Sequence, residues 1–224
     1  MKYIKSRLEG LLLLVLRRSL CKNAFLEYRK SIVIYMTLIL LDDVKVDKFD
    51  CKKYKYNLYL NYDNGKPLFQ TKWVTLRRYC IPSKKYLASD AQSVNLELCL
   101  DGFDNYVGLF DSIDKYIEDN HNIKNKMHHR FVFEKEADNN KYVKVKIYLE
   151  TTRLFINDKI TNIDTVYDLY DYLKEGASVQ VVLTFSKMWN FGGKYGFAVV
   201  VERLRINEES LKGEIDNNDK FEFI

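Results

Sequence analysis

Residues 142–149 alternate without a fault: Val143, Val145, Ile147 and Leu149 interleave with Tyr142, Lys144, Lys146 and Tyr148. A two-residue period of this kind fits a strand with one face in a core and the other turned outward. The pattern therefore demands a sheet, and further segments supply it. Tyr54, Tyr56, Leu58, Leu60 and Tyr62 alternate with polar neighbours and predict a single strand from Lys52. Asp63-Asn64-Gly65 has turn chemistry, and an extended stretch follows from Pro67 to Tyr79 until Cys80-Ile81-Pro82-Ser83 breaks it. Strands are also predicted at Val94–Leu100, Arg130–Lys135, Arg153–Ile156, Val179–Trp189 and Tyr195–Ile206. The last two are joined by Asn190-Phe191-Gly192-Gly193-Lys194, whose glycines can take positive φ.

The period changes twice. Tyr106, Leu109, Phe110, Ile113 and Ile117 fall on one helical face within 104–119, with Asp101 or Asp104 as a cap. Val166, Leu169, Tyr170 and Leu173 do the same within 165–174, where Asp164 is the expected cap and Gly176 the stop. Strands, internal helices and a terminal hairpin predict a mainly β (α+β) chain. The expected architecture is an OB-like Greek-key barrel with one or two accessory helices and an extra β-rich N-terminal portion. A split β-sandwich fits the same order of elements.

Charge divides the chain in three. Residues 1–35 carry eight Lys/Arg and two Asp/Glu, and residues 208–224 carry six acids and two lysines. Of the net +5, that leaves +3 for residues 36–207. We read 1–35 as a basic and apolar extension, 36–207 as the functional domain and 208–224 as an acidic flexible tail. Met36 opens the β pattern, so either it or Met1 suits a start. The apolar runs Leu11–Leu16 and Ile32–Leu41 are far shorter than the ~20 residues of a membrane span, so a soluble protein without membrane contact is expected.

Catalytic chemistry is not signalled. Phosphate-loop, dinucleotide, nucleophile-elbow and zinc-protease motifs are missing, and Gly192-Gly193-Lys194 lacks the ending and the following helix of a phosphate loop. Cys21, Cys51, Cys80 and Cys99 lie far apart, which favours reduced thiols in an intracellular setting. His121, His128 and His129 show no metal-ligand spacing. No enzyme, cofactor or metal is expected.

The positive signal is aromatic rings interleaved with bases. Lysine and arginine neutralise phosphates, while exposed rings stack bases without reading sequence. Four places offer both: Tyr142/Lys144/Lys146/Tyr148; Trp73 with Arg77, Arg78 and Tyr79; Arg153 with Phe155; and Lys187-Met188-Trp189-Asn190-Phe191 through Lys194 and Tyr195. Each has a plainer reading, with the tryptophans in the core and the lysines merely solvated. The tail ends Asp219-Lys220-Phe221-Glu222-Phe223-Ile224. Asp216, Asp219, Phe221 and Phe223 there suit docking to replication proteins.

Two segments carry a family resemblance. One is Pro67-Leu68-Phe69-Gln70-Thr71-Lys72-Trp73 through Tyr79-Cys80-Ile81-Pro82 to the Leu96–Leu100 strand. The other is Val179–Ile206, with Lys187-Met188-Trp189 and Gly193-Lys194-Tyr195-Gly196-Phe197. Over residues 44–206 the chain resembles the OB-fold single-stranded DNA-binding proteins of large eukaryotic DNA viruses. More distantly it resembles phage replication binders with an acidic, Phe-tipped tail. Residues 1–35 and the terminal Ile224 depart from that pattern. The resemblance implies a protein that coats single-stranded DNA during viral replication, recombination or repair, in the host nucleus or a cytoplasmic replication site. Self-association, RNA binding and a virion or host-interaction surface built from the same aromatics all stay open.

Overall fold

A computed structural model describes residues 38–88 and 90–207. The extension 1–35 and the tail 208–224, with Asp216, Asp219, Phe221 and Phe223, lie outside the described residues.

In chain order the strands are β1 (Ile39–Leu40), β2 (Phe49–Tyr54), β3 (Asn57–Tyr62), β4 (Phe69–Gln70), β5 (Val74–Thr75) and β6 (Ser93–Cys99). Helix α1 (Asp104–His121) follows, then β7 (Met127–His128), β8 (Val132–Glu134), β9 (Lys141–Tyr148), β10 (Arg153–Ile156) and β11 (Lys159–Thr161). After a 3-10 turn at Val166–Asp171 come β12 (Ser178–Phe185), β13 (Trp189–Phe191), β14 (Lys194–Gly196) and β15 (Val199–Asn207).

Five segments close a ring. β5 runs antiparallel to β12, and β12 antiparallel to β15 along its whole length. β15 is parallel to β9 at Val199↔Val145, and β9 pairs antiparallel with β6 over seven residues. The ring shuts where the Glu97 N–H donates to the Cys80 carbonyl at 2.7 Å, just past β5. This is a five-stranded Greek-key barrel. It is of OB type.

The predicted alternation explains the core. Val94, Leu96 and Leu98 of β6, Val143, Val145 and Ile147 of β9, and Val179, Val181 and Leu183 of β12 all point inward. So do Val199, Val201, Leu204 and Ile206 of β15, and none of these is more than 2% exposed. Burying each such side chain is worth about 1.5–3 kcal/mol, which fixes register, because a one-residue slip would turn the whole set outward. Helix α1 closes over the barrel with the predicted stripe buried, Tyr106 through Ile117. Its Asp114 is buried too: it accepts the Phe131 N–H at 3.0 Å and meets His128 Nε2 at 2.7 Å. Burial holds the Asp114 carboxyl above the ordinary carboxylate range, opposed by those hydrogen bonds. Because both partners lie in 128–131, this contact fixes the segment that leads into β8.

Several local expectations change. The single strand from Lys52 is a hairpin, β2 against β3, turning at Lys55-Tyr56 with Lys55 at φ 55°. The extended stretch 67–79 holds only the short strands β4 and β5. Helix 165–174 contracts to the 3-10 turn, and Thr165 rather than Asp164 precedes it, its N–H donating to Asp168 Oδ2 at 2.9 Å. The Gly192-Gly193 turn is as predicted, with φ of 59° and 78°.

Candidate nucleic-acid interface

β6 and β9 present their outward residues in rows: Ser93 opposite Tyr148, Asn95 opposite Lys146, Glu97 opposite Lys144 and Cys99 opposite Tyr142. β8 lies on the other side of β9, with Phe133 opposite Tyr142. From the far end of the barrel the β13–β14 hairpin comes across, because β14 pairs in parallel with β7 at Tyr195↔His128. The α1 contact described above fixes His128, so it also sets where this hairpin lands.

The result is a groove of about 360 Å³. Its cations are Arg130, Lys144 and Lys146, its rings His129, Phe133 and Trp189, and no acid lines it. Buried Phe131, Phe197 and Val199 support the floor. Trp189 leans over Gly196: a Cβ there would stand in ordinary contact with its ring at 3.5 Å but only 3.2 Å from the His129 carbonyl oxygen, so a side chain would press on the His129 backbone. Ring centroids of His129 and Trp189 are 5.4 Å apart. Lys144 Nζ sits 5.3 Å from the Phe133 ring centroid and Lys146 Nζ 4.8 Å from that of Tyr148, leaving rings and cations side by side. Glu97 tempers this, lying 3.6 Å from Lys144 and 2.6 Å from Lys135, and Arg130 reaches Glu118 at 3.8 Å. Partial burial, then the neighbouring Lys194, hold the His129 imidazole below its ordinary range, so it is neutral near pH 7.

The structure gathers only part of the predicted set. Lys144, Lys146 and Trp189 line the groove, Tyr148 continues the same face, and Lys194 is close enough to act on His129. Phe191 stands at the hairpin tip, 84% exposed, with Lys187 exposed at its base. Tyr195 was expected to stack and does not face solvent: it is 1% exposed, its ring 5.3 Å from that of His128. Tyr142, expected on the outer face with the lysines, is also sealed, beneath Phe133 and Lys135 and bonded to Asp138.

The other predicted residues lie elsewhere. Trp73 lies under Arg205, 5.2 Å from the guanidinium carbon to the ring centroid, in a small cleft with Asn157 and Asp158. Arg77 is paired with Asp101 at 3.3 Å, and Arg78 covers the ring of exposed Tyr79. Arg153 and Phe155 are on β10, where Phe155 packs toward Leu68 and Val182. A larger cleft of about 710 Å³ beside β10 has Glu150, Asp164 and Arg153 but no aromatic ring, so it offers nothing for stacking. Among the described residues, no three His, Cys, Asp or Glu side chains gather as a metal site requires, and no helix is long and apolar enough to cross a membrane.

His129, Arg130, Phe133 and Asn95 are groove residues that the sequence did not single out. Phe133 alone had a signal, since the strand around it was predicted and its ring is flanked by bases in sequence at Arg130 and Lys135.

No family model matches the chain, and no curated protein matches it in sequence. Solved structures align with it in three dimensions. A C-terminally truncated single-stranded DNA-binding protein from bacteriophage Enc34 aligns at 10% identity over 74% of this chain and 98% of its own, with a TM-score of 0.44. The same phage protein in complex with single-stranded DNA aligns at 8% identity over 75% and 96%, TM-score 0.43. The single-stranded DNA-binding protein encoded by bacteriophage T7 aligns at 13% identity over 71% and 100%, TM-score 0.36. These are phage proteins, and they lend no support to an origin among viruses of eukaryotes.

Proposed function

We propose that this protein binds single-stranded DNA with little sequence preference in the groove between β8–β9 and the β13–β14 hairpin. One observation carries the reading: Trp189, Phe133 and His129 stand beside Arg130, Lys144 and Lys146 in a groove that is open to solvent, whose lining holds no acid although Glu97 and Glu118 reach Lys144 and Arg130 from its margin. Rings of that kind stack any base, and the cations take the phosphates. The groove also lies on the second and third strands of the barrel and its last hairpin loop, the surface on which OB folds hold oligonucleotides. Coating of single strands during replication, recombination or repair is the role such binding serves. It requires no catalytic step, and Asp216, Asp219, Phe221 and Phe223 of the acidic tail are proposed to engage replication proteins.

The test is a fluorescence-polarisation titration with single- and double-stranded oligonucleotides at two salt concentrations. Trp189→Ala removes a stacking ring worth about 1–3 kcal/mol, so single-strand affinity falls roughly five- to a hundredfold while the fold is retained. Lys146→Ala flattens the salt dependence by about 0.7 in log–log slope. Unchanged affinity in both variants would falsify the groove as the binding site. A stable protein partner with no salt-sensitive binding to single strands would move the assignment to an interaction surface, and tighter binding to RNA would change the substrate.

A further inference from the structure

The β2–β3 hairpin is tied to the same loop that presents Trp189. The Met188 N–H donates to the Leu58 carbonyl at 2.8 Å, and Lys187 forms an isolated antiparallel bridge with Tyr59. From that base the hairpin runs out to a tip at Lys55-Tyr56, two to three residues or roughly 7–10 Å beyond Leu58 at the usual rise of a strand. Its base is buried, with Phe49, Leu60 and Tyr62 in the core. Its tip is not: Tyr54 is 65% and Tyr56 98% exposed. Lys52, Lys53 and Lys55 accompany these rings, and no acid occurs between Cys51 and Tyr62. Lys52 is held by Asp50 and Asn64 at the inner end, while Lys55 lies 5.7 Å from the ring of Tyr54.

An exposed pair of tyrosines among lysines gains nothing for the core, and an edge of this kind would be blunted against other strands by its charge. We infer that the tip of the β2–β3 hairpin is a second contact for a single strand of nucleic acid, extending the path that begins at Trp189. This rests on the proposed function of the groove. Tyr56 and Tyr54 stack bases, Lys53 and Lys55 take phosphates, and the Lys187–Met188 connection keeps both contacts on one rigid support. Two linked contacts on one ligand bind with a high effective concentration for the second, so the arm adds affinity only to strands long enough to reach it.

Oligonucleotides of about 6 and about 16 nucleotides separate the two contacts. In the variant K53A/K55G/Y56A the glycine keeps the positive φ of residue 55, and every altered side chain is outside the core. The variant is expected to bind the short strand as the wild type does. For the long strand it loses at least about tenfold, and its salt slope falls by about 1.4, the release from two phosphates. K53R/K55R keeps both charges and is expected to match the wild type. Equal binding of the long strand by wild type and K53A/K55G/Y56A overturns the arm while leaving the groove intact. A wild-type protein that binds neither oligonucleotide removes the groove, and the arm with it.

Discussion

At the scale of single residues, His129 links the groove to pH. Its imidazole is held below the ordinary value of 6.5 by partial burial and then by Lys194, with His128 and Lys144 adding to the effect. A folded-state value below the unfolded one means that the neutral form contributes stability above about pH 6.5, and that this stability is lost as pH falls through the folded value. A phosphate in the groove reverses the sign locally, because it stabilises the imidazolium and raises the value in the complex. Binding then takes up a proton. Single-strand affinity is expected to rise about two- to tenfold as pH drops from roughly 7.5 to 5.5, since a tenfold gain requires the imidazole pKa to be about one higher in the complex than in the free protein. His129→Gln keeps a polar group and cannot titrate, so its profile over that range should be flat. A wild-type profile equally flat, measured by polarisation at constant ionic strength, would place no phosphate beside His129.

Among the elements, some were legible and others were not, for separable reasons. β9 and α1 read cleanly because each sets one face in a continuous core, and burial imposes the period that the sequence displays. The β13–β14 turn read cleanly because two consecutive positive φ values favour glycine, asparagine or aspartate, and Gly192-Gly193 meet that preference as Asp63-Asn64 and Asn157-Asp158 do elsewhere. By contrast, the β2–β3 turn carries Lys55 and Tyr56 in place of glycine or asparagine, so the alternation runs on through it and conceals the reversal. Candidate site residues divide in the same way. Alternation told which residues of β9 face outward, but not that β8 would lie beside Tyr142 and bury it. Nor does local pattern show that β14 pairs with β7, the long-range contact that turns Tyr195 inward. The glycine turn yields a prediction of its own. Open space surrounds both glycines, so Gly193→Ala meets no clash, only the backbone cost of a left-handed residue, about 1–2 kcal/mol. Circular dichroism on heating should show a slightly lower midpoint, and single-strand affinity should fall a few-fold as Trp189 and Phe191 lose their support. Gly193→Asn, which tolerates that conformation better, should lie between the two.

For the molecule as a whole, the distribution of charge matters more than its sum. Residues 36–207 carry only +3, yet Arg130, Lys144 and Lys146 concentrate cation density along one groove. A field this local acts at short range, since screening limits exposed charges to about 8–10 Å at ordinary ionic strength. We propose that the −4 of residues 208–224 works against it, since an acidic segment attached to the same chain competes for any cationic groove it can reach. Removing those residues takes the net charge from +5 to +9. The truncated protein is expected to bind a short oligonucleotide several-fold more tightly in about 50 mM salt, mainly through faster association. The advantage should vanish as salt approaches about 0.5 M, where the screening length shrinks below the spacing of the charges. Trp189→Ala should weaken both forms by the same factor, because stacking does not depend on the tail. Should truncation leave the low-salt affinity of the otherwise unaltered protein where it was, the acidic segment does not compete for this groove, and its charge serves a partner instead.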